Sequence, residues 1–94
     1  MDMRFEWDEA KAAVNLTKHG IRFEEAQTVF GDETSITIYD EQHSDDEDRY
    51  IDIGRSVNGR ILVVVYTESE TSIRIISCRQ ATAKERRQYE QPNR

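Results

Sequence analysis

The segment "RYIDIGRSVNGRILVVVYT" (Arg49–Thr67) is the most informative stretch for the architecture, because its apolar residues alternate on both sides of a turn. Ile51 and Ile53 share one face of the first half. The second half, "RILVVVYT", is apolar on both faces, which is typical of a central strand covered on both sides. Asn58-Gly59 between the halves predicts a hairpin with a type I′ turn. The segment therefore predicts two antiparallel strands inside a sheet.

Two further runs extend this sheet. "TSITIYD" (Thr34–Asp40) precedes the hairpin and "TSIRIISCR" (Thr71–Arg79) follows it after the tight turn "ESET". The acidic run "DEQHSDDED" (Asp40–Asp48) joins the first two strands and is expected to form a mobile loop. Because the last three strands are joined by tight turns and the first is linked to them by this loop, we expect a four-stranded antiparallel meander.

Helical periodicity replaces this alternation near the N-terminus. Asp8 is expected to cap a helix that continues to His19 and ends at Gly20. A second, short helix is predicted over Phe23–Phe30. The apolar stripe of the first helix, which is expected to face the core, comprises Trp7, Ala10, Ala13, Val14 and Leu16.

A third helix is predicted at the C-terminal end of the chain. "TAKE" is a capping box in which Thr82 and Glu85 satisfy each other's backbone amides, so a helix is expected over Ala83–Glu90. The complete order predicts an α+β domain over residues 1–94, with N-terminal helices, a four-stranded antiparallel meander and a short C-terminal helix. All helices are expected on one face of the sheet.

The charge of the chain is unevenly distributed. The 94 residues contain 13 Lys and Arg against 19 Asp and Glu, a net charge of −6. Residues 1–48 contain 4 basic and 14 acidic residues, whereas residues 49–94 contain 9 basic and 5 acidic ones. The acidic total argues against a protein that coats nucleic acid non-specifically, but the basic second half permits a local site for a polyanion.

The sequence gives little indication of other protein classes. The single cysteine, Cys78, excludes an intramolecular disulfide, and no signal or membrane-spanning segment is apparent. We therefore expect a soluble, cytoplasmic protein. Metal-ligand motifs and glycine-rich phosphate loops are also absent, so no metal and no cofactor is expected.

The cationic segment "IRIISCRQATAKERRQYE" (Ile73–Glu90) is the strongest functional feature. Arg74 and Arg79 lie on its strand, where strict alternation places them on opposite faces. They converge only if the strand twists, bulges or ends before Arg79. Tyr66 and Tyr89 could stack on RNA bases.

Such a cluster suits the binding of phosphate. One use is RNA cleavage without a metal, in which arginines bind the phosphate and stabilise the added charge. Another is passive phosphate binding, and composition alone does not separate the two. His19 could transfer a proton, or Lys18 and His19 could simply complement the negative end of the first helix.

Three ordered blocks resemble the BrnT family of toxins. "FEWDEAKAAVNLTKHGIRFEEAQTVFGD" (Phe5–Asp32) contains the F-x-W-D, K-x-x-x-N-x-x-K-H-G and F-x-E-A elements of that family. "EDRYIDIG" (Glu47–Gly54) nearly matches an internal block, and "RIISCRQATAKERRQYE" (Arg74–Glu90) resembles the closing block. The resemblance covers roughly residues 5–90.

The resemblance implies a RelE-like fold and a ribonuclease toxin of a type II toxin–antitoxin system. It implies Arg74 and Arg79 as active residues, together with the charged pair Glu47 and Arg49. Further positions that it implies for RNA contact are Lys84, Arg87 and Tyr89.

The resemblance also implies a BrnA-type antitoxin with a ribbon-helix-helix domain. Two toxins and two antitoxins are expected in one complex, which contacts operator DNA only through the antitoxin. The basic patch of the last strand and helix is the predicted target for an acidic antitoxin segment, with Phe5 and Trp7 as apolar anchors.

Two other functions remain open at this stage. The chain could be a non-enzymatic interaction protein whose basic face docks an acidic partner, or a subunit of a DNA-binding repressor. A helix-turn-helix pattern is not visible, and the last helix is short for reading a DNA groove.

Overall fold

The structure, a computed structural model, describes residues 3–45 and 47–91. The three helices are α1 (Glu9–His19), α2 (Phe23–Thr28) and α3 (Ala83–Glu90). The strands are β1 (Arg4–Glu6), β2 (Ile36–Tyr39), β3 (Arg49–Arg55), β4 (Ile61–Glu68) and β5 (Ser72–Gln80). Short 3₁₀ turns lie at Val29–Gly31 and Glu41–His43. The α+β class is confirmed, and none of the described helices is long and apolar enough to cross a membrane.

The sheet has five strands in the order β1-β5-β4-β3-β2. Strands β2 to β5 form the predicted antiparallel meander. The prediction of four strands was wrong because β1 adds a parallel strand beside β5, with Phe5 opposite Ile73. A strand of three residues is too short to show a period of two, so the sequence pattern did not reveal it.

The hairpin between β3 and β4 is confirmed, but its turn type is not. Gly59 has a φ of 82°, whereas Asn58 has a negative φ, so the type I′ turn is wrong. The N–H of Gly59 donates to the carbonyl of Ser56 at 2.9 Å, and the N–H of Ser56 donates to the carbonyl of Arg60 at 2.8 Å. The loop is therefore a type I turn followed by a left-handed glycine.

The two faces of the sheet carry separate apolar clusters. Helices α1 and α2 cover the larger cluster, which includes Leu62 and Val64 of β4. Helix α3 covers the smaller one, in which Tyr89 packs near Val63 and Ile53. The prediction that all helices share one face was wrong for α3. The apolar residues on both faces of β4 had already indicated two covered faces.

The capping signals of the helices are confirmed. Asp8 accepts a hydrogen bond from the backbone N–H of Lys11 at 3.0 Å, and Gly20 ends α1 with a φ of 71°. Thr82 and Glu85 form the predicted capping box of α3. These signals are local in sequence, which explains why they could be read directly.

The predicted apolar stripe of α1 was wrong for three of its five residues, whereas Trp7 packs against the core as expected. Ala10 and Ala13 are exposed, and Val14 is 64% exposed. The buried residue of α1 is Asn15, and Ala12 packs against the core beside it. The inward position is thus occupied by a polar residue, because the side chain of Asn15 bonds to the backbone of β5.

The carboxamide of Asn15 bonds to the edge of β5. Its Nδ2 donates to the carbonyls of Ile21 at 3.0 Å and Cys78 at 2.9 Å, and its Oδ1 accepts the N–H of Cys78 at 3.0 Å. The side chain therefore substitutes for a neighbouring strand at this point. Burial raises the pKa of the Cys78 thiol to about 12, so this cysteine stays neutral.

Gly54 provides a test of packing between β3 and the turn after α2. A Cβ at this position would lie 2.8 Å from Val29 Cγ1 and 2.9 Å from Ser35 Cβ. We expect Gly54→Ala to lower the free energy of unfolding by about 1–3 kcal/mol, the usual cost of overpacking. Urea unfolding measures this loss.

Gly31→Ala is the matched control, because a Cβ there meets no atom within 4 Å. It should leave the stability nearly unchanged or raise it slightly. Equal effects of the two substitutions would contradict the close packing at Gly54.

Candidate active site

A bulge in β5 brings the two predicted catalytic arginines onto one face of the sheet. Tyr66 of β4 pairs with Ile75, but the preceding Val65 pairs with Ser77, so Ile76 is an extra residue in β5. This one-residue insertion reverses the alternation. Arg74 and Arg79 therefore share the face opposite α1 and α2, which is the condition for convergence that the sequence left open.

The first arginine pair lies where β3, β4 and β5 run side by side. Arg49 and Arg74 both pair with Thr67, one from each side. Arg74 forms a salt bridge with Glu47, which lies in the loop before β3. The buried Nε of Arg49 has no hydrogen-bond partner among the described residues. The predicted set of Glu47, Arg49 and Arg74 is thus brought together.

The second group forms where β5 meets α3. Arg79 makes a two-pronged salt bridge to Glu85, from Nη1 to Oε1 at 2.8 Å and from Nη2 to Oε2 at 2.9 Å. Oε1 also accepts the backbone N–H of Thr82 at 2.8 Å. The Arg79 guanidinium lowers the pKa of the Glu85 carboxyl to about 2, so the carboxylate remains charged. Sequence reasoning had assigned Glu85 a capping role only.

The two groups are separated along the strand. Four strand steps and the bulge lie between Arg74 and Arg79, a distance of roughly 13 Å. The floor between them includes Val65 and Ser77, which are half-buried. Helix α3 packs on the part of this face around Ile53 and Val63, whereas Arg74 on the other half is exposed. We call this half, defined by Arg49, Thr67, Arg74, Ser77 and Arg79, the open face.

Lys84 and Arg87 lie beside the second group. Both are exposed on α3, and both line a shallow groove of about 470 Å³ with Gln88, Glu90 and Gln91. Their predicted common face is thereby confirmed. Neither Arg79 nor Glu85 lines this groove.

The two tyrosines predicted to stack on RNA bases lie in the interior instead. Tyr66 is 3% exposed, and its ring packs between Phe30 and Tyr50. Its hydroxyl donates to the buried carboxylate of Asp52 at 3.0 Å, and burial raises the pKa of that tyrosine. Its ring cannot reach a base without opening the core.

Tyr89 has a similar structural role. It is 6% exposed, its hydroxyl bonds to Asp32 and Thr34, and Arg55 lies over its ring at 5.9 Å. The ring therefore fastens α3 to the sheet. Its position in the closing block of the sequence gave no sign of this burial.

The remaining sequence predictions concern His19, two aromatic residues and the acidic loop. His19 is half-buried at the end of α1, in a groove with Lys18, Ile76 and Ser77, and it makes no hydrogen bond or ion pair with described residues of either arginine group. Phe5 and Trp7, predicted as partner anchors, pack against the core. The acidic loop contains a 3₁₀ turn, and Asp46 lies outside the described residues.

A five-stranded mixed sheet with helices on both faces, and with three arginines on one half of one face, defines a small α+β domain. A profile of the family described as "Ribonuclease toxin, BrnT, of type II toxin-antitoxin system" matches residues 7–85. The chain therefore belongs to the BrnT family of ribonuclease toxins, and the resemblance in the sequence is confirmed.

The fold is also similar to a solved structure. The crystal structure of the Brucella abortus ribonuclease toxin BrnT, at 1.1 Å resolution, matches with a TM-score of 0.67 and 23% sequence identity. The match covers 86% of this chain and 99% of that chain. Among curated proteins, none matches the sequence.

Proposed function

We propose that this chain is a metal-independent endoribonuclease toxin that cleaves RNA in the bacterial cytoplasm and arrests growth. The observation that supports it most is the bulge of β5, which brings Arg79 onto the face of the sheet that already carries Arg49 and Arg74. Several guanidinium groups on one face supply the positive charge that phosphate chemistry otherwise takes from a metal ion.

The proposed reaction is attack by a ribose 2′-OH on the adjacent phosphorus. The bond between the 2′-oxygen and phosphorus forms, and the bond between phosphorus and the 5′-oxygen breaks. A base takes the 2′-OH proton, and the leaving 5′-oxygen gains a proton. The protein must therefore bind the phosphate, stabilise its additional negative charge and move two protons.

Arg79 is well placed for the first two tasks. Glu85 bonds to Nη1 and Nη2, the outer edge of the guanidinium. The remaining edge, formed by Nε–H and the second Nη2–H, has no bond to any described residue. That edge matches two phosphate oxygens. Glu85 thus fixes the orientation of Arg79 before RNA arrives.

Glu47 is the proposed base. Its carboxylate is about half exposed and pairs with Arg74. A phosphate on Arg74 would compete with Glu47 for the guanidinium and leave the carboxylate beside the bound nucleotide. Arg49 lies next to Arg74 across Thr67, so its positive charge would add to the attraction of the same phosphate.

We also propose the partner that the family implies. A BrnA-like antitoxin with a ribbon-helix-helix domain would neutralise the toxin in a complex of two toxins and two antitoxins, and operator DNA would be bound through the antitoxin alone. The antiparallel meander with flanking helices supports a RelE-like relationship for the toxin. Residues 1–94 would act as one toxin domain.

RNA cleavage in the presence of EDTA tests the proposal. We expect the purified chain to cleave RNA at the same rate with EDTA and with Mg²⁺, since arginines and not a metal neutralise the phosphate. A Glu47→Gln variant should cleave more slowly under both conditions and keep its thermal stability. Loss of cleavage in EDTA with recovery on adding a divalent ion would contradict the mechanism.

A further inference from the structure

The two outer edges of the sheet differ in how they are protected. Strand β1 covers the first part of β5, with Glu6 opposite Arg74. Beyond that point the carboxamide of Asn15 occupies both backbone groups of Cys78, as described above. A partner strand could not form a continuous ladder on this edge, because its central backbone groups are already bonded.

The outer edge of β2 has no such protection. The N–H of Asp40 donates to the carbonyl of Arg49 in β3 at 2.9 Å. Because hydrogen bonds alternate along an antiparallel strand, the N–H and C=O groups of Thr37 and Tyr39 point away from β3. Among the described residues, none bonds to these groups.

The side chains of β2 are also unusual for an edge strand. Ile36–Tyr39 is short, with four residues, but it contains no charge, no proline and no bulge, which are three of the usual devices that prevent strand addition. Ile38 is 44% exposed and Tyr39 is 46% exposed. A groove of about 370 Å³ lies beside the strand and is lined by Ser35, Ile36, Ile38, Gln88 and Gln91. Such a groove can accept alternate side chains of an added strand.

The charges around β2 define the partner. The segment Gly31–Asp48 contains eight acidic residues and no lysine or arginine. Acidic pairs lie at both ends of the strand, namely Asp32 and Glu33 before it and Asp40 and Glu41 after it. A second copy of β2 in antiparallel register would bring acidic ends against acidic ends, which is unfavourable.

We propose that the outer edge of β2 is a docking site for an extended segment of a partner protein. The segment has apolar residues at alternate positions and lysine or arginine at both ends. It adds a sixth strand to the sheet through the backbone groups of Thr37 and Tyr39, and its apolar side chains enter the groove beside Ile38. This site is separate from the open face and does not depend on the ribonuclease reaction.

A synthetic peptide of alternating threonine and valine, with two lysines at each end, tests the site. We expect saturable binding at low salt, detected by calorimetry, together with slower hydrogen exchange of the Thr37 and Tyr39 amides. Ile38→Lys should weaken the affinity by about tenfold or more, because it places a charge in the groove and repels the basic peptide.

Val57→Lys is the matched control, since this substitution adds the same charge away from β2. Val57 lies in the β3–β4 turn and is 76% exposed. It should bind the peptide as the unaltered chain does. A peptide with glutamates in place of the lysines, and one with methylated amides at alternate positions, should both fail to bind.

Three binding results would overturn the inference. These are no binding of the lysine-flanked peptide, equal binding by the Ile38→Lys variant, and equal binding of the methylated peptide. Sedimentation of the chain alone tests whether a second copy of the chain occupies this edge instead. A dimer that Ile38→Lys dissociates would show that a second copy, and not a basic segment, occupies this edge.

Discussion

Arg79→Ala lowers the rate of RNA cleavage by a factor of about 10²–10³, the usual loss when one donor to a transition-state oxyanion is removed. The orientation of Arg79 is fixed by two bonds to Glu85, at 2.8 and 2.9 Å. Its free edge would bind the phosphate at the stage when negative charge increases. Single-turnover cleavage of a defined RNA measures the change.

Two further variants separate this role from general charge. Arg86→Ala removes an exposed arginine of α3 that belongs to neither arginine group, and it should reduce cleavage by less than about threefold. Arg79→Lys keeps the charge but loses the planar fork, so most of the activity should be lost with it. A folded Arg79→Ala variant with normal cleavage would remove Arg79 from the site.

Asn15→Ala lowers the free energy of unfolding by at least about 3 kcal/mol. The substitution leaves three buried backbone groups without a partner, namely the carbonyls of Ile21 and Cys78 and the N–H of Cys78. Each unsatisfied group costs about 1–3 kcal/mol. Because small domains have about 5–15 kcal/mol of stability, a large share would be lost. Urea unfolding followed by circular dichroism measures it.

Thr17→Ala is the control for this prediction, because Thr17 is exposed on the same helix. It should change the stability by less than about 0.5 kcal/mol. Asn15→Asp should be as damaging as Asn15→Ala, since a carboxylate cannot donate to the two carbonyls. A loss below about 1 kcal/mol for Asn15→Ala would show that the edge of β5 is stabilised by other contacts.

Local sequence signals predicted the ends of the helices well. Features that depend on contacts between distant residues were not predicted. The Asp8 cap, Gly20 and the Thr82–Glu85 box each lie within a few residues of the helix end that they define. The inward face of α1 was predicted wrongly because its buried residue, Asn15, bonds to Cys78 of β5, which lies 63 residues away in the sequence. Asparagine is a weak helix former, so its place in mid-helix was the one available signal.

The candidate site was likewise predicted in part, because residue types are visible in the sequence and their common face is not. The cationic residues of the last strand and helix were visible as residue types, but their common face depends on a bulge at Ile76. Nothing in the alternation of "TSIRIISCR" specifies which residue is extra. Burial of Tyr66 and Tyr89 was likewise hidden, because it depends on packing against Phe30 and on α3 crossing the second face.

The chemical ends of RNA cleaved in EDTA test the proposed reaction most directly. Attack by the ribose 2′-OH predicts a 2′,3′-cyclic phosphate on one fragment and a 5′-hydroxyl on the other, with no cleavage when the 2′-OH at the scissile position is replaced by hydrogen. Fragments with 5′-phosphate and 3′-hydroxyl ends, or cleavage of the 2′-deoxy substrate, would contradict it, because both require attack by water instead of the ribose.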